Sequence, residues 1–306
     1  MKFNRIVAYG CSFTAGEESA DHIVYGIDAE ELDKKKRSPK TDGVRSEEYL
    51  EFRKKIVKEK YKGQESSLNL ELLKEGKKNS YIRYLADILD LPYSNRAVPG
   101  GSMEQMLFRI ERDIFSEQIK NDDLVIVGLT TSGRFFNLIE EHKKYTVFHN
   151  YSEYSCVIGS GTLLTKEDRE FLLKWDANII NIVWEYYRNI KHILLLSEKY
   201  KEKFKIIIVP VLTTTTLEVH HSRKNYETNK THINLTNLFN IFKEIDTHEN
   251  YLNTCDSIPY FKNFKLYDRL SNKLVHGRDH PTKELHEAYA NYLYENFIKN
   301  ILESDV

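Results

Sequence analysis

The stretch Ile6-Val7-Ala8-Tyr9-Gly10-Cys11-Ser12-Phe13-Thr14-Ala15-Gly16 decides how this chain is read. Its first four residues are β-branched, small or aromatic, the composition of a short buried strand, and Gly10 closes the run as a turn residue does. A serine thus stands just past a strand, between two glycines. A strand-to-helix loop in that place exposes a hydroxyl, and the N–H groups that follow can stabilise an oxyanion. Free serine is a poor nucleophile and needs a base within hydrogen-bond reach. The candidate base comes near the other end, in Asp279-His280-Pro281, just before the last helical pattern. Pro281 pre-sets a first helical turn there and holds His280 in the preceding loop.

Working outward, Asp123-Leu124-Val125-Ile126-Val127-Gly128-Leu129 and Lys205-Ile206-Ile207-Ile208-Val209-Pro210-Val211-Leu212 are continuous apolar runs, the pattern of strands covered on both faces. A shorter strand is expected at Pro92-Tyr93-Ser94-Asn95. Helical spacing is visible in Ser80 to Leu91, where Ile82, Leu85, Ala86 and Leu89 share a face and Pro92 stops the run. It recurs after the N-cap candidate Ser102, with Met106, Ile110 and Ile114, then from about Trp175 to Tyr200 and from Thr282 to Leu302. Short apolar strands alternating with helices predict a mainly parallel sheet with helices on both faces, a three-layer α/β/α fold of flavodoxin-like type. Ligands of such sheets sit outside the carboxyl ends of the strands, here the loops after Tyr9, Asn95, Leu129 and Leu212. Segments 17–78, 134–174 and 213–275 are polar or densely charged, and we read them as insertions in one domain spanning 1–306; the first is expected to be a solvated helix or two.

Composition narrows the classes. At 306 residues the chain can bury a large core without disulfides, and 41% hydrophobic with 12% aromatic residues excludes a disordered chain. Lys+Arg 45 against Asp+Glu 46 provides no overall pull toward nucleic acid or an anionic membrane. The basic stretch 34–62 is interleaved with Glu47, Glu48, Glu51 and Glu59 and reads as a solvated face. Cys11, Cys156 and Cys255 have no metal or redox spacing and suit a reducing compartment. With no leader-like N-terminus and no run of apolar residues long enough to span a bilayer, a cytoplasmic protein is expected.

Taken together, Gly10-Cys11-Ser12-Phe13-Thr14, Asn95-Arg96-Ala97-Val98-Pro99-Gly100-Gly101-Ser102 and the late Asp279-His280-Pro281 resemble the sequence blocks of the SGNH, or GDSL-like, hydrolases. The likeness is to divergent phage and bacterial members that open with Gly-Cys-Ser-Phe-Thr. The resemblance implies an esterase in which Ser12 is the nucleophile, His280 the general base and Gly100 or Gly101 an oxyanion donor. It implies no metal and no organic cofactor, and a small-molecule or glycan acyl ester, such as an O-acetyl group, as substrate. Two positions depart from the family pattern. Where the third block has Gly-x-Asn, this chain has Gly128-Leu129-Thr130, so Thr130 takes the place of the amide donor, with Arg134 nearby as a substrate-binding or compensating cation. Three residues before the histidine, where aspartate is usual, stands Gly277, which leaves Asp279 to orient His280.

Each residue has a plainer reading. A serine in a glycine-flanked loop and a histidine before a helix are common, and only their order along the chain with Gly100-Gly101 gives them weight. His220-His221 have no spaced partners for a metal site. His286 is expected to pack near the loop that precedes the last helix, and Cys11 to point inward. Two further readings remain: a catalytically inactive binding or structural protein of viral type on the same fold, and an acyltransferase that passes the acyl group to an alcohol.

Overall fold

The computed structural model describes residues 2–17, 19–36, 46–99, 101–129, 135–138, 155–158, 179–209, 211 and 281–304. Four strands, β1 (Arg5–Tyr9), β2 (Tyr93–Asn95), β3 (Asp123–Gly128) and β6 (Lys205–Val209), form a parallel sheet in the order β2-β1-β3-β6. Two more, β4 (Phe135–Leu138) and β5 (Ser155–Ile158), pair antiparallel inside the segment 134–174 read as an insertion. All six residues of β3 are buried, and successive side chains of a strand point to opposite faces, so both faces of the sheet are covered. The expected parallel α/β architecture is the observed one.

Helices α6 (Tyr81–Leu89), α7 (Met103–Phe115), α8 (Ile179–Tyr200) and α9 (Lys283–Leu293) flank the sheet, α6 packing on α9 and α7 on α8. Their apolar positions and the strands make one core, in which Ile6, Ile82, Leu85, Ile110, Ile126, Ile207 and Leu285 are wholly buried. Ser102 caps α7 as expected, its Oγ accepting from the Gln105 N–H at 3.2 Å. Past α9 the chain turns through a π-helical segment, Tyr294–Ile298, into α10 (Lys299–Ser304).

The segment expected to be a solvated helix or two is more than that. Between a four-residue helix α1 (Ser12–Ala15) and α6 it contains α2 (Asp21–Tyr25), α3 (Ala29–Lys36), α4 (Glu47–Lys60) and α5 (Glu65–Lys78). These enclose a second small core of Val24, Tyr25, Leu32, Tyr49, Ile56 and Leu68. Each helix contributes only one or two apolar residues to this core, so none shows the apolar repeat that marks a core helix. Polar groups complete it: the Tyr25 and Tyr49 hydroxyls share a hydrogen bond of 2.9 Å, Arg53 donates to Tyr25, and Lys36 pairs with Asp21 at 2.9 Å with both side chains buried.

Candidate active site

The site is built from the carboxyl end of β1. Tyr9 ends the strand and Ser12 opens α1, with only 3% of its surface exposed. The turn is closed by the Ala15 N–H to the Cys11 carbonyl and the Glu17 N–H to the Ser12 carbonyl, both at 2.9 Å. Cys11 is a free thiol, wholly buried in the main core, facing inward as expected.

The second sequence block runs alongside this loop beyond the end of β2. The Arg96 N–H donates to the Ala8 carbonyl at 2.7 Å and the Val98 N–H to the Gly10 carbonyl at 3.0 Å, which continues the ladder past the strand. Gly101 is thereby brought so close to Gly10 that a Cβ on it would lie 3.2 Å from the Gly10 carbonyl oxygen. The Gly101 N–H itself is engaged, donating to the Val98 carbonyl at 2.9 Å. The Asn95 side chain ties the two blocks together. Its Nδ2 donates to the Thr14 carbonyl at 2.7 Å and to Ser80 Oγ at 3.0 Å, while its Oδ1 accepts from the Ala97 N–H at 3.1 Å.

At the end of β1 the Tyr9 hydroxyl donates to Asp113 at 2.7 Å, and Arg96 and Arg112 bind the same carboxylate. Burial alone would raise the Asp113 carboxyl, but these hydrogen bonds outweigh it and hold the group below its ordinary value. Burial, and then Asp113, push the Tyr9 phenol well above its usual range, so it stays a neutral donor. Half-buried Lys77, at the end of α5, is lowered to about 8, by loss of hydration and then by the charge of Arg109.

Helix α9 is linked to the site through Tyr81. Its N-cap is Thr282, which accepts from the Leu285 N–H at 3.5 Å, so Pro281 lies one residue ahead of the cap and not in the first turn. A threonine with a side-chain acceptor takes the cap in preference to a residue already committed by its ring. His286, wholly buried, accepts the Tyr81 N–H on Nδ1 at 3.2 Å and stacks on the Tyr81 ring. Since Nδ1 is the acceptor, the neutral imidazole carries its proton on Nε2.

Of the residues expected to act, the structure describes Ser12 and Gly101 and brings them to one loop pair. Gly100, Thr130, Arg134, Asp279 and His280 lie outside the described residues, as do His220 and His221 and the segments 139–154, 159–178 and 212–280. No group of three or more His, Cys, Asp or Glu among the described residues could hold a metal ion, and no described helix is long and apolar enough to cross a membrane. Sequence reasoning passed over Thr14, Asn95 and Tyr81. The signal for Thr14 was a pair of glycines, Gly10 and Gly128, at the ends of adjacent strands, whose reason only the structure shows.

The arrangement defines a class: a parallel α/β fold with a serine on the first turn past an inner strand, β1, and a second loop hydrogen-bonded along the end of that strand. No family model matches the chain, and no curated protein matches it. Among solved structures it is similar to a protein placed in the lipolytic G-D-S-L family from Desulfitobacterium hafniense DCB-2, at 12% identity and a TM-score of 0.40, covering 95% of this chain and 98% of that one. It is similar also to a carbohydrate esterase family 2 enzyme with a carbohydrate-binding domain from Corynascus thermopiles (Myceliophthora fergusii), at 12% identity and TM-score 0.43, over 97% of this chain and 66% of that one. A third is a carbohydrate esterase whose active site displays divergent catalytic and non-catalytic binding functions, at 11% identity and TM-score 0.37, over 97% and 68% of the two chains.

Proposed function

We propose that this chain is a serine esterase of SGNH type that cleaves small acyl esters, such as O-acetyl groups of a glycan, through an acyl-enzyme on Ser12. The observation that carries the reading is the placement of Ser12 at the head of α1, with Arg96 and Val98 hydrogen-bonded to the Ala8 and Gly10 carbonyls just ahead of it and Gly101 close against Gly10. In this reading Ser12 Oγ attacks the ester carbonyl carbon as His280 takes its proton, and the tetrahedral intermediate expels the alcohol, which leaves with that proton. Water, deprotonated by His280, then releases the acid and restores Ser12. Asp279 orients the imidazole, and Arg134 meets the substrate. The N–H of Ser12, the N–H of Gly100 and the Thr130 hydroxyl hold the oxyanion; Gly101 gives way to Gly100 because its own N–H is taken by Val98.

The near-complete burial of Ser12 favours one competing reading, a binding protein in which this serine does no chemistry. Labelling with a fluorophosphonate probe, with p-nitrophenyl acetate turnover on the same samples, separates the two. Labelling and turnover that vanish in both Ser12→Ala and His280→Ala support the esterase. A wild-type protein that never labels supports the binding protein. Product analysis with an added acceptor alcohol distinguishes transfer from hydrolysis.

A further inference from the structure

Thr14 sits where four parts of the fold converge. A Cβ on Gly10 would lie 2.2 Å from Thr14 Oγ1, and one on Gly128 would lie 2.1 Å from the same atom. Both are far inside contact distance, so the absence of side chains at the ends of β1 and β3 is what makes room for this threonine. Its hydroxyl shares a hydrogen bond with the Tyr81 hydroxyl at 3.3 Å, and its carbonyl accepts from Asn95 at 2.7 Å. Thr14 is wholly buried, as is Tyr81. Tyr81 in turn opens α6 and holds His286 of α9 through its N–H, with its ring against Tyr289 at 5.3 Å between centroids. The turn bearing Ser12 is thus tied to β1, β3, α6 and, through Tyr81, to the helix that follows His280.

We propose that Thr14, held by Tyr81 and Asn95, is the positioning residue of the Ser12 turn, fixing where Ser12 Oγ stands relative to the oxyanion donors. The idea rests on the esterase reading for its catalytic consequence, but its structural half stands apart from it. The physical reason is economy of restraint. Helix α1 is four residues long, too short to hold its own shape in water, so its geometry must come from tertiary contacts. Misplacing a nucleophile by about 1 Å costs on the order of a hundredfold in rate. Burial raises the Tyr81 phenol, which keeps its proton on the oxygen that meets Thr14.

The test uses Tyr81→Phe, which removes one hydroxyl and keeps the ring. Cys11, buried next to Ser12, reports the turn without reference to catalysis when Cys156→Ser and Cys255→Ser leave it as the single thiol. We expect Tyr81→Phe to speed modification of Cys11 by a thiol reagent by about tenfold, because that chemistry requires local opening. We expect it to lower kcat and the rate of fluorophosphonate labelling by about tenfold, with KM unchanged. Thr14→Val should do the same, Thr14→Ser should keep most of the rate, and Thr14→Val with Tyr81→Phe should add little to either. Tyr25→Phe, which removes a buried hydroxyl in the second core, is the control and should leave both rates alone. Unchanged Cys11 reactivity and labelling in Tyr81→Phe, or equal changes in Tyr25→Phe, overturn the proposal. A wild type that never labels, with Cys11 still loosened by Tyr81→Phe alone, upholds the positioning role and removes the esterase.

Discussion

The parallel sheet and the helical segment α2–α5 are both buried at their centres, yet they are built from different materials. In β1, β3 and β6 the interior is mainly Val, Ile, Ala and Leu with Tyr9, and charge stands at the rim of that core, where Arg5 pairs with Asp123 at the strand starts and Asp113 lies in the helix layer. In the helical segment three of the principal interior contacts are polar: tyrosine to tyrosine, arginine to tyrosine, and the Lys36–Asp21 pair beneath the Tyr49 ring. The difference teaches where cooperativity lives. Apolar burial tolerates substitution by similar volumes, whereas a buried ion pair loses far more when one partner goes than it ever contributed.

The two regions meet where α1 ends and α5 ends, and the largest expected effect is there. Gly16 has φ +70°, and a Cβ on it would lie 2.3 Å from the Gly76 carbonyl oxygen. Gly16→Ala combines a left-handed conformation with a clash against backbone and should cost about 3–5 kcal/mol. Hydrogen exchange should then rise in both regions, and a rise in only one would show that the junction is not shared.

Next, Lys36→Met leaves Asp21 buried and unpaired, with an expected loss of about 3–4 kcal/mol. Peptides from 21–72 should lose protection while β1 and β3 keep theirs. Adding Asp21→Leu should restore most of the loss, and failure to restore would mean that the pair specifies the arrangement beyond balancing charge.

Asp113→Asn is the matching change on the sheet side, smaller because Arg96 and Arg112 are partly hydrated, at about 2–3 kcal/mol near neutral pH. The Asp113 carboxyl is held below its ordinary 3.8, so its contribution is complete above that value and fades as pH falls through the folded pKa. Urea midpoints of wild type and variant should therefore converge in acid.

The smallest effect is expected at Lys77. Its folded pKa, near 8, lies below the ordinary 10.5, so the charged amine destabilises the fold below about pH 8 and the penalty disappears as pH rises to 10.5. Lys77→Met should be more stable than wild type at pH 7, with the margin closing by pH 10; a constant margin would place the effect in packing and not in charge.

This contrast also explains what was legible. The strands Arg5–Tyr9, Tyr93–Asn95, Asp123–Gly128 and Lys205–Val209, and helices such as Tyr81–Leu89, were readable because apolar residues at the right period lie within a few positions of one another. The core of α2–α5 was not, because its apolar residues are dispersed over four helices and half of them are tyrosines or sit beside lysines. At the candidate site, Ser12 and Gly101 were readable as a serine and a glycine past strand ends. That the Gly101 N–H is already committed to Val98 was not, since it depends on how the turn closes against β1.

The sequence by itself determined the parallel α/β layering, the α7 cap at Ser102 and the position of Ser12 past the first strand, all of which follow from local periodicity and turn chemistry. Only the tertiary structure decided that Thr14 fills the space left by Gly10 and Gly128, that His286 holds α9 to Tyr81, and that Gly16 and Gly76 bring their backbones together. Those contacts join residues up to 205 positions apart, and no local pattern encodes a distance that only chain folding closes.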